Sequence, residues 1–170
     1  GSSIINYLLT KNKYQIFGTY RKKKSDKYIP YKFNIKSKNF KQYQVDFLKN
    51  SSSLINLTKK LKPEVIIDFA SICMVNESWK NSNIYFQINV LSKIKMIEYL
   101  SSTKFLKKYI YISTPEIFGS SKKYIEEKSQ TFAPQTPYAT SKLSFEILLK
   151  NFQKNFSFPL IISRFSNFYG

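Results

Sequence analysis

The chain has 170 residues, a formal net charge of +18, 42% apolar and 17% aromatic residues, one cysteine and no histidine. This composition suits one globular domain, residues 1–170, with a sizeable core, and it excludes compositional disorder and an internal disulfide framework. No apolar run reaches the ~18 residues of a membrane span, and no secretory signal opens the chain, so we expect a cytoplasmic protein without membrane contact.

The positive charge raises the question of nucleic-acid binding. The lysines are spread over the whole chain, and only two arginines, Arg21 and Arg164, are present. Arginine is the usual bidentate reader of bases and phosphates, so its scarcity argues against that role. We therefore interpret most lysines as solvated surface residues and expect no nucleic-acid partner.

The apolar pattern predicts helices and strands in alternation. In chain order these are a helix at 2–9, strands at 14–19 and 43–46, a helix at 51–61, a strand at 65–70, a helix at 84–101, a strand at 108–113, a helix at 138–155 and a strand at 160–164. A basic loop follows the first strand at 21–27. This alternation is typical of a parallel α/β sheet with right-handed crossovers.

Hydroxyl groups and a Tyr-x-x-x-Lys pair follow the strand at 108–113. Ser113 and Thr114 end the strand, and Tyr138 with Lys142 begins the next helix directly after Pro137. Four other Tyr-x-x-x-Lys pairs, at positions 7, 20, 28 and 124, lack this setting and are interpreted as chance in a chain rich in both residues. The setting predicts an enzyme that performs proton and hydride chemistry on an alcohol.

The predicted chemistry requires a shifted pKa at Tyr138. A free phenol has a pKa of ~10, so action as a base near neutral pH needs about 4 kcal/mol of extra stabilisation of the phenolate. A lysine ammonium ~4 Å away supplies about that much at an effective dielectric of 20. Spacing i,i+4 places both side chains on one helix face, so we expect Lys142 to lower the Tyr138 pKa.

Glu116 lies two residues past Thr114. It is either a solvated loop carboxylate or a second acid/base group, and its place at the strand end favours the second interpretation.

Four further residues suit a dinucleotide. Arg21 is either part of a solvated basic loop or a contact to a ribose 2′-phosphate; because Tyr20 stands where an acid would bind the 2′-hydroxyl, we favour NADP over the alternative NAD. Asp46 either binds an adenine amino group or belongs to a turn. Ala70 and Ser71 are small residues where a cofactor backbone needs room. The lone Cys73 is interpreted as a small apolar filler, since no histidine exists to activate it.

Together these segments resemble the extended short-chain dehydrogenase/reductase family, in particular the GDP-mannose and dTDP-glucose 4,6-dehydratases. The matching segments run in the family's order: Gly1-Ser2 as the tail of a glycine-rich turn, GTYR at 18–21, VDF at 45–47, DFAS at 68–71, NES at 76–78, QINV at 87–90, STPEIFG at 113–119, PQTPYATSK at 134–142 and RFSNFYG at 164–170. The resemblance implies a Rossmann-like doubly wound parallel sheet.

The resemblance also implies roles for single residues. Tyr138, aided by Thr114, would take a proton from the sugar 4-hydroxyl, and Lys142 would bind the nicotinamide ribose. Glu116 would remove the carbon 5 proton and assist loss of water from carbon 6. The implied cofactor-binding set is Gly1, Arg21, Asp46, Phe47, Ala70, Ser71, Ser113, Tyr138 and Lys142, and the implied substrate-binding set is Ser113, Thr114 and Asn167.

Two departures from the family pattern modify these expectations. Pro115 stands where dTDP-glucose dehydratases carry an aspartate, which moves the match towards the GDP-mannose type. The first strand and the carboxyl-terminal sugar-binding region of the family are missing, so we expect a truncated fold with a gap in the sheet and an inactive fragment.

A homodimer through the helices at 84–101 and 138–155 is also implied. An epimerase or decarboxylase of the same fold and a non-catalytic basic binding module are the competing functions.

Overall fold

The computed structural model describes residues 1–21, 37–49, 51–121, 124–126, 128–129 and 131–166. The chain divides into two compact units, Gly1–Ser53 and Leu54–Gly170. Within the described residues, no helix combines the length and the apolar character that crossing a bilayer requires.

The first unit pairs one helix with two parallel strands. Helix α1 spans Ser2–Lys11, strand β1 spans Ile16–Tyr20, and strand β2 spans Phe40–Gln44, with Ile16 opposite Phe40. Apolar residues at helical spacing on α1 meet the first residue of each strand, and the small core contains Leu9, Ile16 and Phe40 with Ile5 and Leu8 packed against it.

The second unit is built on a parallel sheet of three strands. In spatial order these are β3 (Val65–Asp68), β4 (Lys108–Ser113) and β5 (Leu160–Arg164). Because the strands are parallel, their carboxyl ends lie at one edge of the sheet, which therefore carries Asp68, Ser113 and Arg164. This edge holds the predicted catalytic segment.

Helical segments connect these strands. They are α2 (Ser51–Leu61), α3 (Val75–Lys80), α4 (Ser82–Phe86), a π-helical turn (Gln87–Leu91), α5 (Ser92–Ser101), a 3₁₀ turn (Pro115–Phe118) and α6 (Pro137–Phe156). The core of the second unit lies between the sheet and helices α5 and α6, and its largest members include Tyr109, Tyr111 and Phe145.

The Rossmann-like parallel α/β class is confirmed. Strands β1 and β2 form one sheet, and β3, β4 and β5 form another. The strand at 65–70 ends earlier than predicted, at Asp68, because the Asp68 carboxylate accepts a hydrogen bond from Ala70 N and turns the chain. The strand predicted at 43–46 lies earlier, at Phe40–Gln44. Most of the basic loop at 21–27 lies outside the described residues.

The helix predicted at 84–101 differs most from the structure. It begins earlier, α3 precedes it without having been predicted, and the π-helical turn interrupts it. The wider turn directs three consecutive residues inward, so Ile88, Asn89 and Val90 are all buried. A polar residue, Asn89, therefore enters the core next to the predicted site.

Candidate active site

Tyr138 occupies the first turn of α6. Thr136 caps this helix, since its Oγ1 accepts a hydrogen bond from Ala139 N at 3.1 Å, and Pro137 follows at the first helical position. The Tyr138 side chain packs edge-to-face against Tyr85, with ring centres 6.4 Å apart, and Tyr138 is only 8% exposed. Local capping and one aromatic contact therefore fix the phenol.

Thr114 and Glu116 lie beside this phenol. Thr114 is buried at the end of β4, and its Oγ1 accepts a hydrogen bond from Glu116 N at 3.3 Å, which starts the 3₁₀ turn. Thr114 lies close enough to the Tyr138 phenol to lower its pKa, and the Glu116 charge raises the pKa of the same phenol. The structure thus brings together three of the four predicted catalytic side chains, with Glu116 exposed at the mouth.

Burial dominates the ionisation of these groups. It raises the pKa of Tyr138, an effect that the Thr114 hydrogen bond opposes and the Glu116 charge reinforces. Partial burial likewise raises the pKa of the Glu116 carboxyl. Both shifts favour the protonated forms and therefore favour proton donors over bases.

Lys142 lies one turn further along α6 and is 2% exposed. Its Nζ donates a hydrogen bond to the Ile112 carbonyl at 2.5 Å and lies 4.3 Å from the centre of the Tyr111 ring. Burial, followed by the charge of Lys93, lowers the Lys142 pKa to about 8. The ammonium is thus fixed at the end of β4.

The prediction that Lys142 lowers the Tyr138 pKa is wrong for this structure. The Tyr138 pKa is raised, and Lys142 is not among the groups that shift it. The physical reason is that a buried ammonium needs a hydrogen-bond acceptor, and the Ile112 carbonyl at the strand end supplies one.

A buried carboxylate, not predicted from the sequence, lies one further turn along α6. Glu146 accepts hydrogen bonds from Arg164 Nε at 3.2 Å and from Arg164 Nη2, and it pairs with Lys150 at 3.2 Å. Hydrogen bonds from Arg164 and its positive charge outweigh burial and lower the pKa of the Glu146 carboxyl. The i+4 spacing from Lys142 was the available sequence signal.

The Arg164 guanidinium also supports the turn that carries Glu116. Its central carbon lies 5.3 Å from the ring centre of Phe118 and 5.7 Å from that of Phe132, and these two rings stack at 5.6 Å. Ala133 N donates to the Ile117 carbonyl at 2.9 Å, which ties the chain before α6 to the same turn. The turn that carries Glu116 is therefore held by the Phe118 ring contacts and by the Ile117 carbonyl.

Gly119 closes this turn in a conformation that favours glycine. Its φ is +67°, and a Cβ built there would lie 2.3 Å from the Ala133 carbonyl oxygen. We expect Gly119→Ala to lower the free energy of unfolding by about 2 kcal/mol, because both backbone strain and a clash with main chain oppose the side chain. Urea unfolding checks this; Ala133→Ser, at the facing position, is the control, and equal stability of Gly119→Ala and the wild type would contradict it.

Asn89 was missed as a site residue, although it lies in the matching segment at 87–90. Its Oδ1 accepts from Ile72 N at 2.9 Å, and its Nδ2 donates to the Ile72 carbonyl at 3.2 Å and to Ser141 Oγ at 2.9 Å. The Ser141 hydroxyl donates to the Tyr138 carbonyl at 2.7 Å. Asn89 thus connects the turn after β3, which contains Ala70 and Ser71, to the first turn of α6.

A family model described as GDP-mannose 4,6 dehydratase matches residues 1–170, the full length of the chain. The chain belongs to this family. The match confirms the resemblance to the nucleotide-sugar epimerases and dehydratases that the sequence motifs indicate.

Several relatives share this similarity. The dTDP-D-glucose 4,6-dehydratase of Dictyostelium discoideum is 33% identical over 147 residues, which cover 80% of this chain and 33% of that protein. The structure of UDP-glucuronic acid 4-epimerase from Bacillus cereus, in complex with UDP-glucuronic acid and NAD, matches with a TM-score of 0.82 at 27% identity. The match covers 96% of this chain and 52% of the epimerase chain. The structure of dTDP-glucose 4,6-dehydratase from Bacillus anthracis, in complex with NAD, matches with a TM-score of 0.81 at 25% identity. The match covers 100% of this chain and 52% of the dehydratase chain. The chain therefore spans about half the length of these solved structures.

The other predicted cofactor-binding and substrate-binding residues of this family member lie in the first unit or outside the described residues, and Cys73 lies in the second unit. Gly1 directly precedes α1, and Arg21 is exposed at the end of β1. One oxygen of Asp46 accepts hydrogen bonds from Leu48 N at 3.0 Å and Lys49 N at 3.4 Å, which corresponds to the turn interpretation of this residue, and Phe47 is half-buried in that turn. Asn167 lies outside the described residues. Cys73, interpreted as an apolar filler, is exposed instead.

Proposed function

We propose that this chain forms the cofactor-binding and catalytic part of a nucleotide-sugar 4,6-dehydratase. The observation that carries the proposal is the close grouping of Thr114, Glu116 and Tyr138 at the carboxyl edge of the sheet. In the proposed reaction the sugar is oxidised at carbon 4, water is eliminated across carbons 5 and 6, and hydride returns to carbon 6. Because the chain spans about half of its solved relatives, we propose that the isolated 170 residues are inactive.

The residues present fit a pyridine dinucleotide at this edge. Ser113 Oγ is buried and has no hydrogen-bond partner among the described residues, so a polar group of a bound ligand would supply one. Lys142 adds a buried cation, and two residues with small side chains, Ala70 and Ser71, follow β3. When bound, such a cofactor would accept and return hydride.

The chain's own side chains would then move the protons. Tyr138 would exchange a proton with the sugar 4-hydroxyl, with Thr114 orienting both hydroxyl groups. Glu116, exposed at the mouth and carrying a raised pKa, would remove the carbon 5 proton and deliver a proton to the leaving water. The raised Tyr138 pKa means that this phenol carries its proton at neutral pH in the structure, so base action requires cationic charge closer to it.

Glu116 favours dehydration over epimerisation. The relatives include both dehydratases and 4-epimerases, so the choice rests on the site. Simple epimerisation moves hydride at carbon 4 alone and needs no second acid/base group. Two further functions compete with dehydration, namely decarboxylation by the same fold and non-catalytic binding by a basic module.

Mass spectrometry of GDP-mannose and dTDP-glucose incubated with the full-length protein tests the proposal. We expect a product that has lost one water, and we expect Glu116→Gln to slow its formation by about 10²–10⁴-fold, because the elimination loses its acid/base group. Glu98→Gln, an exposed carboxylate on α5, serves as the control. A product of unchanged mass, or full dehydration by Glu116→Gln, would contradict the assignment.

For the cofactor we propose NADP, with NAD as the alternative. The support for NADP is Arg21 at the end of β1, with Tyr20 in place of an acid that would bind a ribose 2′-hydroxyl. The support for NAD is its presence in the solved structures from Bacillus cereus and Bacillus anthracis.

We also propose a cytoplasmic homodimer that joins the helices at 84–101 and 138–155. Leu91, in the π-helical turn, and Ile147, on α6, expose apolar side chains on these helices, which supports the proposal. The single cysteine, Cys73, is a free thiol, which agrees with a reducing compartment.

A further inference from the structure

A buried ion pair lies beside the candidate site. Lys93 Nζ on α5 lies 2.7 Å from Asp68 Oδ2 at the end of β3, and both residues are buried. The same carboxylate accepts hydrogen bonds from Tyr109 OH at 2.9 Å and from Ala70 N at 3.0 Å. Donors from α5, β4 and the turn after β3 therefore converge on one carboxylate.

The Lys93 and Lys142 ammonium groups both lie near the Tyr111 ring. Lys93 Nζ lies 5.8 Å from the centre of the Tyr111 ring and 5.1 Å from that of Phe145. Lys142 Nζ lies 4.3 Å from the same Tyr111 ring. Asp68 forms an ion pair with Lys93, whereas among the described residues Lys142 forms none. The two buried cations thus lie around the same aromatic ring, and the Asp68 carboxylate neutralises one of them.

We propose that Asp68 and Lys93 act as a positioning pair for Lys142. Asp68 neutralises the charge of Lys93, so that the Lys142 ammonium persists at neutral pH. Asp68 also anchors the turn at Ala70. This inference rests on the proposed cofactor-binding role of Lys142. If the ion pair were purely structural, it would stabilise the fold, but removing either member alone would leave the Lys142 titration unchanged.

The charges that face Lys142 make these two roles distinguishable. Lys93 on α5 lowers the Lys142 pKa, whereas Asp68 on β3, Cys73 after β3 and Glu146 on α6 raise it. The remaining neighbours are the Tyr111 ring and the Ile112 carbonyl of β4. Because the two members of the pair act in opposite directions, their removal has opposite consequences.

NMR titration of isotope-labelled lysine side chains measures this effect, with the Lys142 signal assigned by its loss in Lys142→Arg. Lys93→Met is expected to raise the Lys142 titration midpoint by roughly one pH unit, and Asp68→Asn to lower it by a similar amount. The double variant is expected to lie about one pH unit below Lys93→Met, a difference that isolates the effect of Asp68. The proposal is overturned if either single variant leaves the midpoint unchanged or moves it the other way.

Folding of the variants is checked by circular dichroism. Asp68→Asn leaves Lys93 without its carboxylate and is the most destabilising change. If it does not fold, the Lys142 titration midpoints of Lys93→Met and of the double variant, which removes both charges of the pair, test the proposal instead. Glu64→Gln breaks the exposed ion pair of Glu64 with Lys107, 2.7 Å long, and is the matched control without a midpoint shift.

This test separates the inference from the proposed function, because it uses neither sugar nor dinucleotide. Opposite midpoint shifts in an enzyme that does not dehydrate sugars would support the positioning pair and contradict the proposed function alone. As a second readout, NADPH binding is expected to persist to higher pH in Lys93→Met than in the wild type. Identical pH dependence of NADPH binding in the two proteins would contradict the positioning role.

Discussion

Replacing Tyr138 with phenylalanine is expected to reduce turnover of the full-length protein by at least about 10³-fold, while the fold is retained. The phenol is the proposed proton carrier for the sugar 4-hydroxyl, and general acid–base groups of this kind contribute about 10²–10⁴-fold. The ring keeps its edge-to-face contact with Tyr85 in the variant, and only the hydroxyl interaction with Thr114 is lost. The free energy of unfolding should therefore change by only about 1 kcal/mol.

Tyr124→Phe is the matched control. Tyr124 also heads a Tyr-x-x-x-Lys sequence, with Lys128, but it is 92% exposed and lies outside any helix. Steady-state kinetics and urea unfolding of both variants should show loss of activity for Tyr138→Phe alone. Retained turnover in Tyr138→Phe would contradict the proposed role of the phenol. Absence of turnover in the wild type, together with binding that Tyr138→Phe leaves intact, would favour the non-catalytic binding module.

The position of the candidate site at the carboxyl edge of the sheet could be predicted from the sequence because the relevant signals are local. The β4 strand ends at Ser113, and Thr136 and Pro137 start α6 within one residue of the predicted position. Strand ends and helix caps depend on a few neighbouring residues, and parallel strands place their carboxyl ends at a common edge. Thr114, Glu116 and Tyr138 could therefore be placed together from the sequence alone.

The direction of the Tyr138 pKa shift could not be predicted in the same way. Spacing i,i+4 gives a shared helix face, but it does not say which acceptor the lysine ammonium will reach. In the structure Lys142 reaches the Ile112 carbonyl, and burial of Tyr138 then determines the sign of its shift. Such competition among partners is a property of the packed core rather than of the sequence pattern.

The π-helical turn shows the same limit for the fold. Apolar residues on several faces of the segment 84–101 predicted one continuous helix with two packing sides. The turn at Gln87–Leu91 instead accounts for part of this pattern by burying Ile88, Asn89 and Val90 in succession. Asn89 and the Asp68–Lys93 pair join residues far apart in the chain, so no periodicity could predict them.

Replacing Lys142 with methionine is expected to stabilise the free protein at pH 7 and to abolish dinucleotide binding. The Lys142 pKa of about 8 lies below its ordinary value of 10.5, so the folded state binds the proton less tightly than the unfolded chain. At pH 7 this difference costs about 3 kcal/mol of stability. Loss of the hydrogen bond to the Ile112 carbonyl offsets about 1 kcal/mol, so a net gain of about 2 kcal/mol is expected.

The difference in stability between Lys142→Met and the wild type is expected to depend on pH. Between about pH 8 and 10.5 the unfolded chain holds the Lys142 proton while the folded protein has released it, so this residue makes wild-type stability rise with pH across that window. The Lys142→Met variant lacks this contribution, and its advantage over the wild type should shrink from pH 7 to pH 10. Urea unfolding at both values measures the difference, and Lys154→Met, an exposed residue near the end of α6, is the control.

Titration with NADPH, and with NADH for comparison, completes the test. A side chain that stabilises the fold would lower stability when removed, whereas a buried cation kept for binding lowers it when present. A more stable Lys142→Met protein that no longer binds either dinucleotide would therefore identify Lys142 as a binding residue held at the expense of stability. A less stable variant, or one that binds NADPH as tightly as the wild type, would contradict that role and, with it, the cofactor site proposed at the end of β4.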